Sequence, residues 1–294
     1  MARKNIFQLV EENYDIQDEI KKIVTLLHDS IYFTNGLREY TLIDIVEKYF
    51  FEDWKYRGTC LDLDEYFKRA RAEISLEKEN AEDEIVNFLE VVENFLALYF
   101  HAGKKLKQNE GITSYTELKS ELIFLVDTLE KRMGLLIREY KDRVILYPKN
   151  APLEKVIDLC PDEDVQWELI RYVREELSLS EKRKSLAYLA TNLNIEKDKN
   201  ETDEHIKQLV RKAENILNNL HIRHNNKTGK WENQALKELD EADAIALCDM
   251  VYNEMLTIVL LREHKEYDKV YTEFNKKQKE EAKAKQKAEE DNNG

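Results

Sequence analysis

The scarcity and placement of backbone-breaking residues constrain this chain more than any other feature. Only three prolines and seven glycines occur in 294 residues, and Pro148, Pro152 and Pro161 all fall in one short window. A sheet-rich fold needs turn residues every ~8–12 positions, and they are missing here. The proline-free stretches on either side are left to form helices. The window itself marks a junction, because proline stops helices and stiffens connections. The expectation is an all-α protein with two helical domains joined near residues 141–162.

Apolar spacing points the same way, recurring at the three- and four-residue intervals of one helix face. Ile20, Ile23, Val24, Leu27 and Ile31 form one stripe, with Asp15 as N-cap, and Leu42, Ile45, Val46 and Tyr49 form a second. A long Leu-, Val- and Phe-rich stretch runs from Ala81 to Leu106. Thr113-Ser114-Tyr115-Thr116-Glu117 reads as a capped helix start, with the helix expected to reach about Tyr140. Arg143–Pro148 is the one strand-like run, a strand or an extended linker. Helices follow over Val165–Leu177, Ser180–Leu193 and about Thr202–His221, then an apolar one carrying Leu247, Val251, Met255 and Ile258. Lys276 to Gly294 hold Lys, Glu, Ala and Gln with nothing to bury. The expected organisation is a helical N-terminal domain over 1–150, a helical bundle over 151–265 and a charged tail over 266–294, helical or disordered.

Hydrophobic residues make up 42% of the chain and charged residues 36%, with a formal net charge of -14. Such a surface repels nucleic acid and anionic membrane over most of its area, so an RNA role requires a local basic patch. The apolar runs are too short for a bilayer span, and the first residues lack the build of a signal peptide, so no membrane partner is expected. Three scattered cysteines, Cys60, Cys160 and Cys248, imply no disulfide framework and point to a reducing cytoplasm.

The phosphate-loop, dinucleotide-binding, nucleophile-elbow and HExxH motifs are all missing, and no cofactor is called for. The sharpest local feature is Leu220-His221-Ile222-Arg223-His224-Asn225-Asn226 at the end of an expected helix, leading into a loop with Lys227, Gly229 and Lys230. Histidine exchanges protons near neutral pH, and a guanidinium holds a phosphate through two hydrogen bonds. Asn225, Asn226, Lys227 and Lys230 can hold RNA beside them. His221, Arg223 and His224 together could therefore run metal-independent RNA cleavage by an adjacent 2′-hydroxyl. The competing reading is structural: positive side chains at a helix C-terminus meet the negative end of its dipole. A metal site is not expected, because the two histidines lack a nameable third ligand.

Ser180-Glu181-Lys182-Arg183-Lys184-Ser185-Leu186, the helix carrying Asn215–Leu220, and His221–Asn226 resemble the C-terminal region of bacterial abortive-infection proteins of the AbiJ type, which is similar to the HEPN superfamily. The resemblance covers residues ~165–265. It implies a HEPN-like helical bundle, a homodimer, and metal-independent ribonuclease activity in phage defence or as a toxin, acting on RNA or on a phage or host protein. Arg223 and His224 would be the phosphate-binding and acid–base pair, with His221 and Asn225 in support. HEPN nucleases usually separate the Arg and His by a short run of residues, whereas Arg223 and His224 are adjacent. The superfamily also holds non-catalytic members. The alternative function is therefore a non-catalytic, acidic helical interaction protein, an adaptor or inhibitor. The aromatic residues Tyr49, Phe50, Phe51, Trp54, Tyr56, Phe95, Tyr99 and Phe100 read as a core before they read as a groove.

Overall fold

The computed structural model describes residues 14–30, 33–35, 38–109, 113–114, 116–195, 202–219 and 239–292. They are mostly helical, as an all-α fold requires, and they form two compact units, Met1–Lys149 and Asn150–Gly294.

In the first unit, α1 (Ile16–His28) is capped by Asp15, whose side chain accepts from the Gln17 N–H at 2.8 Å. Helix α2 (Leu42–Tyr49) opens on a capping box between Thr41 and Asp44. Helix α3 (Leu63–Arg69), the long α4 (Glu82–Asn109) and α5 (Thr116–Arg132) follow. Ile20, Ile23 and Leu27 of α1, Phe88, Leu89, Val92 and Phe95 of α4, and Leu122, Val126 and Leu129 of α5 are buried together. Of the aromatic residues, Phe51, Trp54 and Tyr99 join them, and Trp54 meets Phe95 edge-on at 5.8 Å between ring centres; Tyr49, Phe50 and Tyr56 are partly buried, and Phe100, expected in the core, is 51% exposed.

Two small sheets accompany the helices, and of their strands only the run Arg143–Pro148 was foreseen from the sequence. Strand β1 (Phe33–Asn35) pairs antiparallel with β2 (Arg38–Tyr40) and with β3 (Thr113–Ser114). Thr113 and Ser114 therefore sit in a strand rather than capping a helix, and α5 begins at Thr116. It ends at Arg132, not near Tyr140. Gly134 takes a left-handed φ of +66° just past the helix end, a conformation glycine adopts at no steric cost. Leu135–Tyr140 then forms β4, paired in register with β5 (Arg143–Pro148). The strand-like run of the sequence is thus half of a hairpin. Its two-residue turn is Lys141-Asp142, both at positive φ (48° and 65°), as a type I′ turn demands.

The outer edge of β5 is closed by side chains of α4. Asn94 Nδ2 donates to the Val144 carbonyl and Asn94 Oδ1 accepts from the Val144 N–H, both at 2.9 Å. One helical turn earlier, Glu90 accepts from the Leu146 N–H at 2.8 Å. Two side chains at i and i+4 thus do the work of a neighbouring strand, and the edge is blocked against other chains.

Among the described residues, the regular elements of the second unit are all helices. Asn150 caps α6 (Ala151–Leu159), which carries Pro152 in its first turn where no backbone donor is lost. Pro161 lies in the link to α7 (Glu163–Arg174), which Asp162 caps. Ser178 and Glu181 form a capping box on α8 (Leu179–Asn192). Helix α9 (Glu204–Asn219) and the 52-residue α10 (Glu241–Asn292) follow. Helices α6, α8 and α9 each pack on α10, burying Ala244, Cys248, Val251, Met255 and Ile258. The expected tail boundary at 265/266 falls inside this continuous helix. Part of α10 is long and apolar enough to cross a membrane, with mean hydropathy 1.7 over 18 residues. In the bundle, 39% of that window is buried, including Cys248, Val251, Met255 and Ile258.

Candidate functional site

The sequence-predicted site residues, His221, Arg223, His224, Asn225, Asn226, Lys227 and Lys230, lie outside the described residues. What the structure does place is the helix leading to them. Helix α9 ends at Asn219 and packs on α10, with Ile206, Val210, Ala213 and Leu217 buried and Lys212 paired with Glu254.

The richest polar cluster among the described residues lies between α7, α8 and the inner half of α10. Tyr172 donates to Asp249 Oδ1 at 3.0 Å, and Lys182 hydrogen-bonds the same oxygen. The Lys182 ammonium also lies 4.6 Å from the Tyr172 ring centre. Tyr172 stacks on Tyr252 with ring centres 4.3 Å apart, and Tyr252 donates to the Leu169 carbonyl at 2.8 Å. Burial, with Asp249 nearby, raises the Tyr172 pKa well above its ordinary value, and burial raises that of Tyr252. Burial also pushes the Cys248 thiol up to about 11. Phenols and thiol alike stay protonated at neutral pH, so none of the three is an activated nucleophile. The cluster's chemistry is that of a clamp joining three helices.

In the first unit, a cleft of about 270 Å³ is lined by Glu39, Tyr40, Asp44, Glu47 and Lys48. Lys48 donates to the Tyr49 hydroxyl at 2.8 Å and the Tyr40 hydroxyl at 3.0 Å. These bonds raise its pKa and keep it a cation rather than a nucleophile. Glu130 of α5 is 2% exposed, and its Oε1 has no hydrogen-bond partner among the described residues. Burial, then Glu93 and Asp127, push this carboxyl up to about 8 against the weaker pull of Lys131. Among the described residues, no group of three or more His, Cys, Asp or Glu is arranged to hold a metal ion.

The remaining candidate is a surface. The last bonds described between α10 and the rest of its unit run from Arg262 to the Asn194 carbonyl and from Lys265 to Thr202. Beyond them, Tyr267, Val270, Tyr271 and Phe274 are 56–66% exposed. Their spacing of i, i+3, i+4 and i+7 sets all four on one face of the helix.

The chain matches no protein-family model, no curated protein and no solved structure. Its function must therefore be read from its own residues. The stripe was overlooked in the sequence because charged residues dominate the segment from 266 onward. The i, i+3, i+4, i+7 signal was present nonetheless, in Tyr267, Val270, Tyr271 and Phe274.

Proposed function

We propose that the chain is a helical interaction protein and that the outer half of α10 is the surface it presents. The observation carrying this reading is the row of four large, exposed apolar side chains on one face of a single helix. Scattered apolar residues on a surface need no explanation, but contiguous ones mark sites of association. An amphipathic helix presented in this way is read by a partner through anchors at this spacing. In-cell cross-linking from Lys265, Lys269, Lys276 and Lys277 tests it. Cross-links to another chain should disappear in a Tyr267→Glu/Tyr271→Glu variant whose helix content and melting temperature match the native chain. Cross-links that persist in this variant would contradict the reading.

A second reading is an RNA-directed defence or toxin-like protein, cleaving RNA without metal through Arg223, His224 and His221. It is supported by the position of that cluster in the sequence directly after α9, in a unit whose described elements are helices, and by the resemblance to abortive-infection proteins. RNA cleavage by the purified chain in EDTA tests it. Cutting by the native chain, lost in a folded Arg223→Ala/His224→Ala variant, would establish this activity. Absence of cutting by the native chain would remove the reading.

A further inference from the structure

Helix α4 serves two neighbours. Its Glu90 and Asn94 hold the Leu146 and Val144 N–H groups of β5. Glu93 lies between them in sequence, and its charge acts on Glu130 of α5, the helix packed beside it. Asp127, one turn before Glu130, acts on both. Glu93 and Asp127 are half-buried, whereas Glu130 is 2% exposed with an Oε1 that no hydrogen bond satisfies among the described residues. A carboxylate so placed loses its water and faces like charge. A neutral carboxyl avoids both costs.

The other charges around α5 are committed elsewhere. Lys131 acts on Glu130 but is bonded to Asp127 at 2.6 Å. Arg132 lies over the Tyr14 ring, 3.9 Å from its centre. On α1, Asp18 pairs with Lys21 and Glu19 with Lys22, and His28 stands in the last turn. On β4 the charged residues are Arg138 and Glu139.

We infer that the α4–α5 contact is a proton-controlled latch: Glu130 keeps its proton while packed beside Glu93 and releases it when α5 lifts away. Opening that sheds a proton is favoured as pH rises. The latch also reaches the hairpin. Helix α4 grips β5 through Glu90 and Asn94, while α5 runs through Gly134 into β4. When α5 lifts, the clamp on the β5 edge loosens with it. This goes beyond the reading of α10 and does not depend on it.

Hydrogen exchange of the full chain across a pH series, corrected for the intrinsic pH dependence of exchange, is the test. Peptides covering 122–134 and 144–147 should lose protection by roughly tenfold per pH unit between 4.5 and 8, and level off above 8. Peptides covering 42–49 of the same unit should show no such slope. Glu130→Gln should remove the slope. Glu93→Gln should keep a slope that levels off below 8, and it serves as the second variant if Glu130→Gln fails to fold. Protection in 122–134 that ignores pH, or a slope that survives in Glu130→Gln, would overturn the latch. A slope of equal size over 42–49 would overturn it too, because the whole unit would then be unfolding together. A plateau unmoved by Glu93→Gln would remove Glu93 from the pair and overturn the proposal as stated.

Discussion

The two halves of α10 are built on one principle and meet different fates. In the inner half, Ala244, Cys248, Val251, Met255 and Ile258 recur at helical spacing and are buried. In the outer half, Tyr267, Val270, Tyr271 and Phe274 recur at the same spacing and stay exposed. Periodicity alone is identical, and what differs is cover. Helices α6, α8 and α9 pack against α10, while its outer half runs on past Lys265. The flanking chemistry differs as well. Inner-half carboxylates are tied to other helices, Asp249 to Tyr172 and Lys182, and Glu254 to Lys212. Outer-half charges such as Glu266 and Lys269 pair along their own helix, where exposed pairs contribute little. A helical stripe thus shows that a helix has a face to bury, and the surrounding elements decide whether its own chain buries it.

Truncation separates the halves most sharply. Met255→Ala removes a buried side chain and should cost ~2–5 kcal/mol of stability, seen as a clear fall in the thermal or denaturant midpoint. A null result there would mean that the inner half is not the core of its unit.

Burial of a carboxyl oxygen with no hydrogen-bond partner among the described residues has its own signature, in Glu130 of the first unit. The unfolded chain releases this proton near the ordinary carboxyl value of 4.5, while the folded chain holds it to about 8. Between those limits the unfolded state binds fewer protons. Stability contributed by the neutral carboxyl is thus full below pH 4.5 and is lost as pH rises towards 8, at about 1.4 kcal/mol per pH unit. Glu130→Gln should flatten that slope and stabilise the protein at pH 8. An unchanged slope would show that Glu130 finds a counter-ion.

Partnered cover should behave oppositely. Asp249→Ala strips the acceptor from Tyr172 and Lys182 and should cost ~1–3 kcal/mol, readable by urea denaturation. If it proves neutral, the three-helix clamp contributes nothing. The smallest effect belongs to the outer half: Tyr271→Ala should alter monomer stability by no more than about 0.5 kcal/mol, because that residue is 66% exposed. A larger loss in dilute solution would mean that the stripe is buried in the monomer.

Much of this fold was legible in the sequence. Few breakers, clustered prolines and regular stripes gave the helices, and Asp15 as an N-cap was readable directly. The hairpin after α5 was harder, because its turn is Lys141-Asp142 rather than the Asn-Gly or Asp-Gly that announces a type I′ turn. Gly134 was the available stop signal, and the periodicity ran straight over it. The clamp of Asn94 on Val144 joins residues 50 apart in the chain, and no local pattern reveals such a pairing. The His221–Asn226 cluster was legible as chemistry only. On α10, the apolar signal of Tyr267–Phe274 was masked by the lysines and glutamates around it.

Hydrogen exchange along α10 tests the central claim most directly. In dilute native protein, peptides covering 244–258 should be protected and those covering 262–277 should exchange quickly. Tyr271→Glu should leave the protection of the inner peptides unchanged. Outer peptides that are protected equally at every dilution, in both native chain and variant, would show that the chain covers this face itself and would contradict the account.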